Sequence, residues 1–148
     1  MIEYNDINQS NIGVIKELWE NNRDYHVEIE DKFKEQYRCL SFEERMREIF
    51  DNRTRIYKIT IAEYQNIVLG YSISAIKQTE GELISIHVKS TKRSNGIGKK
   101  LVEDHIKWMK NNGCSNIGVY VSSSNSQTIE FYKRFGFESN LVYMQIVE

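Results

Sequence analysis

The run Lys92-Arg93-Ser94-Asn95-Gly96-Ile97-Gly98 stands between an apolar alternation that ends at Val88 and a helical pattern that begins at about Ile97. These residue types in this order suit the binding of an anion. The first N–H groups of a helix have no partner inside it, and together with the helix dipole they attract phosphate. Glycine there lets a ligand approach the backbone closely. Lys92 and Arg93 add charge-assisted hydrogen bonds, so a phosphate or pyrophosphate is the expected guest. The plainer alternative is that the two glycines only terminate or pack the elements around them.

Two familiar nucleotide loops fail on residues. A dinucleotide-binding fingerprint requires a third glycine three positions after Gly98, where Leu101 stands, and no acidic ribose partner follows at the expected place. A phosphate-binding NTPase loop ends in Gly-Lys-Ser/Thr, but Gly98-Lys99 is followed by Lys100. Arg93-x-x-Gly96-x-Gly98 instead resembles the Arg/Gln-x-x-Gly-x-Gly/Ala motif of the GNAT N-acetyltransferase superfamily. Asn125 followed by Phe131-Tyr132-Lys133-Arg134-Phe135-Gly136-Phe137 is similar to a second signature of that superfamily, and a strand separates the two as the family order requires. The resemblance is good over residues 69–137 and holds only in outline over the N-terminal third.

The resemblance implies a set of roles. Backbone amides from Arg93, Ser94, Asn95, Gly96, Ile97, Gly98 and Lys99 would hold the CoA pyrophosphate, and Asn125 would also contact CoA. The strand before the loop would offer backbone groups of Ile86, His87 and Val88 to the pantetheine arm and the acetyl carbonyl. Tyr132 matches the tyrosine that faces the CoA sulfur; a phenol of ordinary pKa near 10 can hand a proton to a departing thiolate. It could equally be a core aromatic, and Asn125 a helix N-cap. Acetyl-CoA is thus the implied co-substrate, with no metal. Many family members carry an acidic residue three or four positions before the valine equivalent to Val88, whereas this chain has Ser85 and Ile84 there. Glu82 and His87 are the remaining candidates for general base, against the alternatives of a solvated strand-end carboxylate and a packed or surface imidazole.

In this family the first two helices and the hairpin loops shape the acceptor site. Trp19, Tyr25, His26 and Glu28, with Glu30 and Asp31, are the residues expected there. Acidic and aromatic groups suit a cationic amine such as a polyamine, an aminoglycoside or a lysine side chain, while the same run also reads as a solvated face. The expected function is transfer of acetyl from acetyl-CoA to a primary amine by direct attack. A CoA-binding sensor without turnover is the rival.

Elements that alternate between α and β periodicity must position these residues. A short strand over residues 1–5 precedes a helix over 8–23, a loop with one helical turn over 25–40, and a second helix from Ser41, whose Ser-Phe-Glu-Glu opening has the form of a capping box. Period-2 runs then predict a hairpin from Arg55 to Ile76 with its turn at Tyr64-Gln65-Asn66, and a third strand with Glu82, Ile84, Ile86 and Val88 on one face. A long helix follows with Ile97, Leu101, Val102, Ile106 and Met109 buried. After it come a strand at Ile117, Val119 and Val121, a helix over 125–135, and a last strand over 141–147. Strand, helix and strand over 82–121 form a βαβ unit with parallel strands. The expected fold class is α+β: a GNAT-like three-layer arrangement with a mixed, twisted sheet of six to seven strands flanked by about four helices. One domain, 1–148, is expected, with probable acceptor-binding helices in 1–54 and the acetyl-CoA-binding core in 82–137.

Composition bounds the remaining possibilities. A chain of 148 residues with 40% hydrophobic content can bury one continuous core. Its 20 basic and 21 acidic residues nearly cancel, so there is no global field for nucleic acid or an anionic membrane. No apolar run is long enough to span a bilayer, and no signal-like N-terminal stretch is present, so a cytoplasmic location is expected. Cys39 and Cys114 match no metal-ligand spacing and read as ordinary thiols. Family members are frequently dimers, which makes a homodimer a further expectation.

Overall fold

The computed structural model describes residues 1–93 and 95–147. Its elements run β1 (Glu3–Asp6), α1 (Lys16–Ile29), α2 (Lys34–Arg38), α3 (Phe42–Phe50), β2 (Ile56–Tyr64), β3 (Ile67–Lys77), β4 (Glu80–Val88), α4 (Ile97–Asn111), β5 (Asn116–Val119) and α5 (Ser126–Lys133). Short 3₁₀ segments, Gln9–Ile15 and Ser90–Lys92, lead towards α1 and α4. The strands lie side by side in the order β1-β2-β3-β4-β5. Each neighbouring pair is antiparallel except β4 and β5, which are parallel and joined through α4, because a parallel pair needs a crossover.

Local chemistry explains most boundaries. The β2–β3 turn places Gln65 at φ 50° and Asn66 at φ 65°, the left-handed pair that matches the twist of a two-residue hairpin. Ser41 caps α3, its Oγ accepting from the Glu44 amide at 3.1 Å, and Glu43 and Glu44 sit favourably in the first turn. Phe42, Met46 and Ile49 are then buried together, as their spacing predicts.

The sheet separates two apolar layers. Trp19, Phe42, Met46 and Ile49 pack on Ile59, Ile61, Tyr71 and Ile73 on one side. Val102, Met109 and Tyr132 pack on Ile76 and Leu83, and Ile97 and Leu101 on Ala62 and Leu69, on the other. A bulge connects this packing to the site: the β3–β4 register steps from Ile73↔Ser85 to Ser74↔Leu83, so Ile84 is an extra residue on β4. A bulge shifts later side chains to the opposite face. Ile84 accordingly joins the Trp19 layer, while Ile86 and Val88 lie on the α4 side. The expected common face of Glu82, Ile84, Ile86 and Val88 is therefore broken at Ile84.

Other expectations are also corrected. The sheet has five strands among the described residues, not six to seven. Residues 141–147 carry the predicted alternation, but Leu141, Tyr143 and Met144 are 89%, 86% and 84% exposed and no strand pairs with them. Alternation makes a strand only where a sheet edge supplies hydrogen-bond partners; here the segment lines a cavity beside β5 as irregular chain. The first helix starts later and runs further than residues 8–23, because Asn11 and Gly13 favour a 3₁₀ lead-in and α1 continues to Ile29. The expected loop over 25–40 thus contains the end of α1 and all of α2, so the described residues form five α-helices, close to the four or so expected. Among the described residues no helix is long and apolar enough to cross a membrane.

Candidate active site

β4 and β5 pair only where Glu80, Gly81, Glu82 and Leu83 face Asn116, Ile117, Gly118 and Val119. Beyond Leu83 the strands part. β4 continues to Val88 with one edge free, so alternate amides and carbonyls over residues 84–88 have no β5 partner. The gap opens into a cavity of about 600 Å³ bounded by this edge, the start of α4 and the face of α5. Lys92, Arg93, Lys99 and Arg134 line it, with no carboxylate among the described lining residues.

The start of α4 differs from those of α3 and α5. α3 and α5 are capped by side chains, Ser41 and Asn125, but Gly96 at the start of α4 provides none, and no acidic residue occupies the first turn. Lys99 and Lys100 in that turn oppose the helix dipole. Among the described residues the helix therefore begins without a side-chain cap and with adverse charges, both of which an anion would relieve. Gly96 has φ 77°, a conformation that L side chains rarely adopt, and open space lies before it. A Cβ at Gly98 would make only ordinary contact, 3.5 Å from Cζ of Phe131 on α5, so packing alone does not require glycine there.

Arg93 bridges three elements, with Nε donating to the Val88 carbonyl at 3.3 Å and its guanidinium 5.8 Å from the Tyr25 ring centre. Asn95 is exposed and donates to the Lys92 carbonyl at 3.2 Å, without lining the cavity. Ser94 lies outside the described residues. Ile86, His87, Val88, Ile97, Lys99, Asn125 and Tyr132 all line the cavity, as do Tyr25 and His26. Asn125 Oδ1 accepts from the Thr128 amide at 3.2 Å, so its carbonyl oxygen caps α5 and its amide nitrogen is left for other contacts.

A second cavity, about 1200 Å³, opens on the other side of β5. Its charges differ: Glu30, Glu80, Glu82 and Glu138 line it against Arg55, Lys77 and Lys133. Residues 119–122 and Tyr132 line both cavities, so the two spaces meet at that wall. Tyr132 is 4% exposed and packed edge-on to Phe131 and Phe137. Burial, with a smaller contribution from Tyr71, raises its pKa well above the ordinary phenol value. It therefore keeps its proton at neutral pH, and no protein group hydrogen-bonds its side chain among the described residues.

The two base candidates diverge. Burial, then Arg93 and His26, lower His87 to about 4, so it is uncharged at neutral pH and only weakly basic. Glu82 lines the second cavity and pairs with Arg55 at 3.7 Å. Trp19 is buried edge-on against Phe42 at 5.6 Å, and Glu28 is exposed; neither lines a cavity. His26 stacks on Tyr37 at 5.0 Å, with its Nδ1 enclosed and unpartnered among the described residues. Sequence reasoning gave Ser122 no place, since nothing distinguishes it within Ser122-Ser123-Ser124; in the fold it lines both cavities.

Residues 16–137 match the acetyltransferase (GNAT) family. The chain belongs to that family. An uncharacterised N-acetyltransferase of Methanocaldococcus jannaschii is 38% identical over 71 residues, which cover 47% of this GNAT chain and 31% of the relative. The chain spans less than a third of the length of the curated relatives it matches. Among solved structures, the tetramutant of the BH1408 protein from Bacillus halodurans superposes with TM-score 0.77 at 15% identity, covering 97% of this chain and 98% of that one. AAC(6')-Iy in complex with the bisubstrate analogue CoA-S-monomethyl-acetylneamine gives TM-score 0.69 at 16% identity over 99% of this chain and 98% of that one. These structural likenesses show that the chain shares the fold of those proteins.

Proposed function

We propose that this chain transfers an acetyl group from acetyl-CoA to the primary amine of a small molecule or peptide by direct attack. One observation carries the reading. Two cavities, one lined by four cationic side chains with no carboxylate among the described residues and one lined by four glutamates against three cations, share a wall that contains Tyr132. An anionic donor entering from one side and an amine from the other would meet there.

Each of the chain's own groups has a task in this scheme. The uncapped N–H groups of α4, with Arg93 and Lys92, hold the diphosphate of CoA. The free edge of β4 over residues 84–88 takes an extended, amide-bearing arm as a strand would. Its N–H groups can also polarise the thioester carbonyl, since fixed donors stabilise developing oxyanion charge. Tyr132, protonated at neutral pH, supplies the proton for the departing sulfur. The bisubstrate complex of AAC(6')-Iy, a protein of the same fold, supports a donor and an amine meeting in one site.

Steady-state release of CoA thiol from acetyl-CoA, measured with and without a panel of amines, tests the proposal. Amine-dependent release, with the acetyl group recovered on the amine, is the expected result. A second reading rests on the weak basicity of His87 and on Arg55 already facing Glu82. Under it the chain is a CoA-binding sensor, and saturable CoA binding without thiol release with any amine would favour that.

A further inference from the structure

Glu30 ends α1 and is only 7% exposed. An ionised carboxylate is buried at a large cost unless a cation accompanies it. Yet no lysine, arginine or histidine nitrogen forms an ion pair with Glu30 among the described residues. Its single hydrogen bond there is a long one, Oε2 accepting from Ser122 Oγ at 3.4 Å. Oε1 is left without a protein partner among the described residues, and Glu30 lines the larger cavity together with Glu82 and Tyr132. Ser122 belongs to the wall shared with the cationic cavity, so this bond sets the carboxylate beside the junction of the two spaces. His26, one helical turn before it, has an enclosed and unpartnered Nδ1. Glu30 beside the larger cavity and His26 beside the cationic one thus each carry a side-chain atom without a protein partner among the described residues.

We propose that Glu30 receives the ammonium group of the acceptor and takes its proton, so that the acceptor is a cationic primary amine. The inference rests on the acetyl-transfer reading above and names its acceptor class and its base. Glu82 is a weaker candidate because Arg55 already faces it, and His87 because it lines the cationic cavity. In the reaction the ammonium gives one proton to Glu30, which passes it to water in the open cavity. The freed nitrogen pair forms the bond to the acetyl carbonyl carbon, and the carbon–sulfur bond breaks with its electrons going to sulfur. Tyr132 protonates the sulfur and regains a proton, through water, from the nitrogen as the amide forms. Ammonium and thioester become amide, thiol and one proton in solution.

The experiment compares the wild-type chain with Glu30→Gln, which keeps the shape and removes the charge. Thiol release at saturating acetyl-CoA is followed with spermidine, with sisomicin and with a lysine-containing peptide. The wild type is expected to use at least one of them. Glu30→Gln should lower kcat/KM for that amine by about 100-fold or more, as loss of a general base does, and should leave KM for acetyl-CoA within about threefold. A variant within about threefold of wild type for the amine, roughly 0.6 kcal/mol or less, would overturn the proposal. If Glu30→Gln also loses acetyl-CoA affinity, Glu30→Asp decides: recovery of at least about tenfold over Glu30→Gln supports the carboxylate's role, and no recovery overturns it. Wild-type protein that binds CoA but releases thiol with none of the three amines would instead sink the acetyl-transfer reading, and this inference with it.

Discussion

His105 gives a stability prediction that is separate from the site. It is fully buried between α4 and the sheet, and both ring nitrogens meet hydroxyls: Nδ1 lies 2.6 Å from Ser74 Oγ, and Nε2 lies 2.8 Å from both Thr60 Oγ1 and Ser72 Oγ. Thr60 Oγ1 donates to Asp6 Oδ1 at 2.7 Å, so a neutral imidazole with Nε2–H completes the chain by donating to Thr60. Burial, then Lys58, lowers its pKa from 6.5 to about 4, with Asp6 and Asp104 opposing. The unfolded chain therefore binds this proton as pH falls below about 6.5, and the folded chain only near 4. Stability from His105 is complete above 7 and is lost as the solution is acidified through that window. At 1.36 kcal/mol per pH unit the full effect is about 3 kcal/mol, of which about 2 kcal/mol is lost by pH 5. Urea unfolding followed by tryptophan fluorescence at pH 7.5 and pH 5.0 measures it, with His105→Gln as the control that cannot titrate. His87, also lowered to about 4, contributes to both proteins and cancels in the comparison. Wild type should lose about 2 kcal/mol more than His105→Gln across that interval. Equal losses would refute the buried neutral imidazole.

Further predictions concern the site and one helix cap. Tyr132→Phe should lower kcat for thiol release by about 100-fold with KM for acetyl-CoA within about threefold, because only the proton donor is removed; an unchanged kcat would make Tyr132 a core aromatic alone. Gly96→Glu puts a side chain at φ 77° and a carboxylate into a cationic cavity, so CoA affinity measured by calorimetry should fall by about tenfold or more. Affinity equal to wild type would remove the α4 start from the site. Ser41→Ala removes the α3 cap and should cost about 1 kcal/mol in urea unfolding, and no change would show that the bond contributes nothing.

Local chemistry made most of the fold legible in the sequence. The Ser41 cap, the Gln65-Asn66 turn, the βαβ order and the glycine-rich start of α4 each depend on a few neighbouring residues. The bulge at Ile84 does not, because it arises from the register against β3, and it reverses the face on which Ile86 lies. The unpaired state of residues 141–147 is likewise a question of which edge is available. For the site, motif spacing led to Arg93, Gly96, Asn125 and Tyr132, all of which line one cavity. Trp19 falls on the apolar stripe of the first helix in the sequence, and that stripe turns it into the core rather than towards an acceptor. Glu30 stood within a run of acidic residues and differs from Glu28 only in being carried into a cavity by the end of α1.

The central claim is that the start of α4 holds the diphosphate of the acyl donor. Calorimetric titration of CoA into the wild-type chain and into Arg93→Glu tests it most directly. Saturable binding at one site per chain, weakened by about tenfold or more in the variant, is the predicted result. No saturable binding to the wild type, or identical affinity in the two proteins, would contradict it.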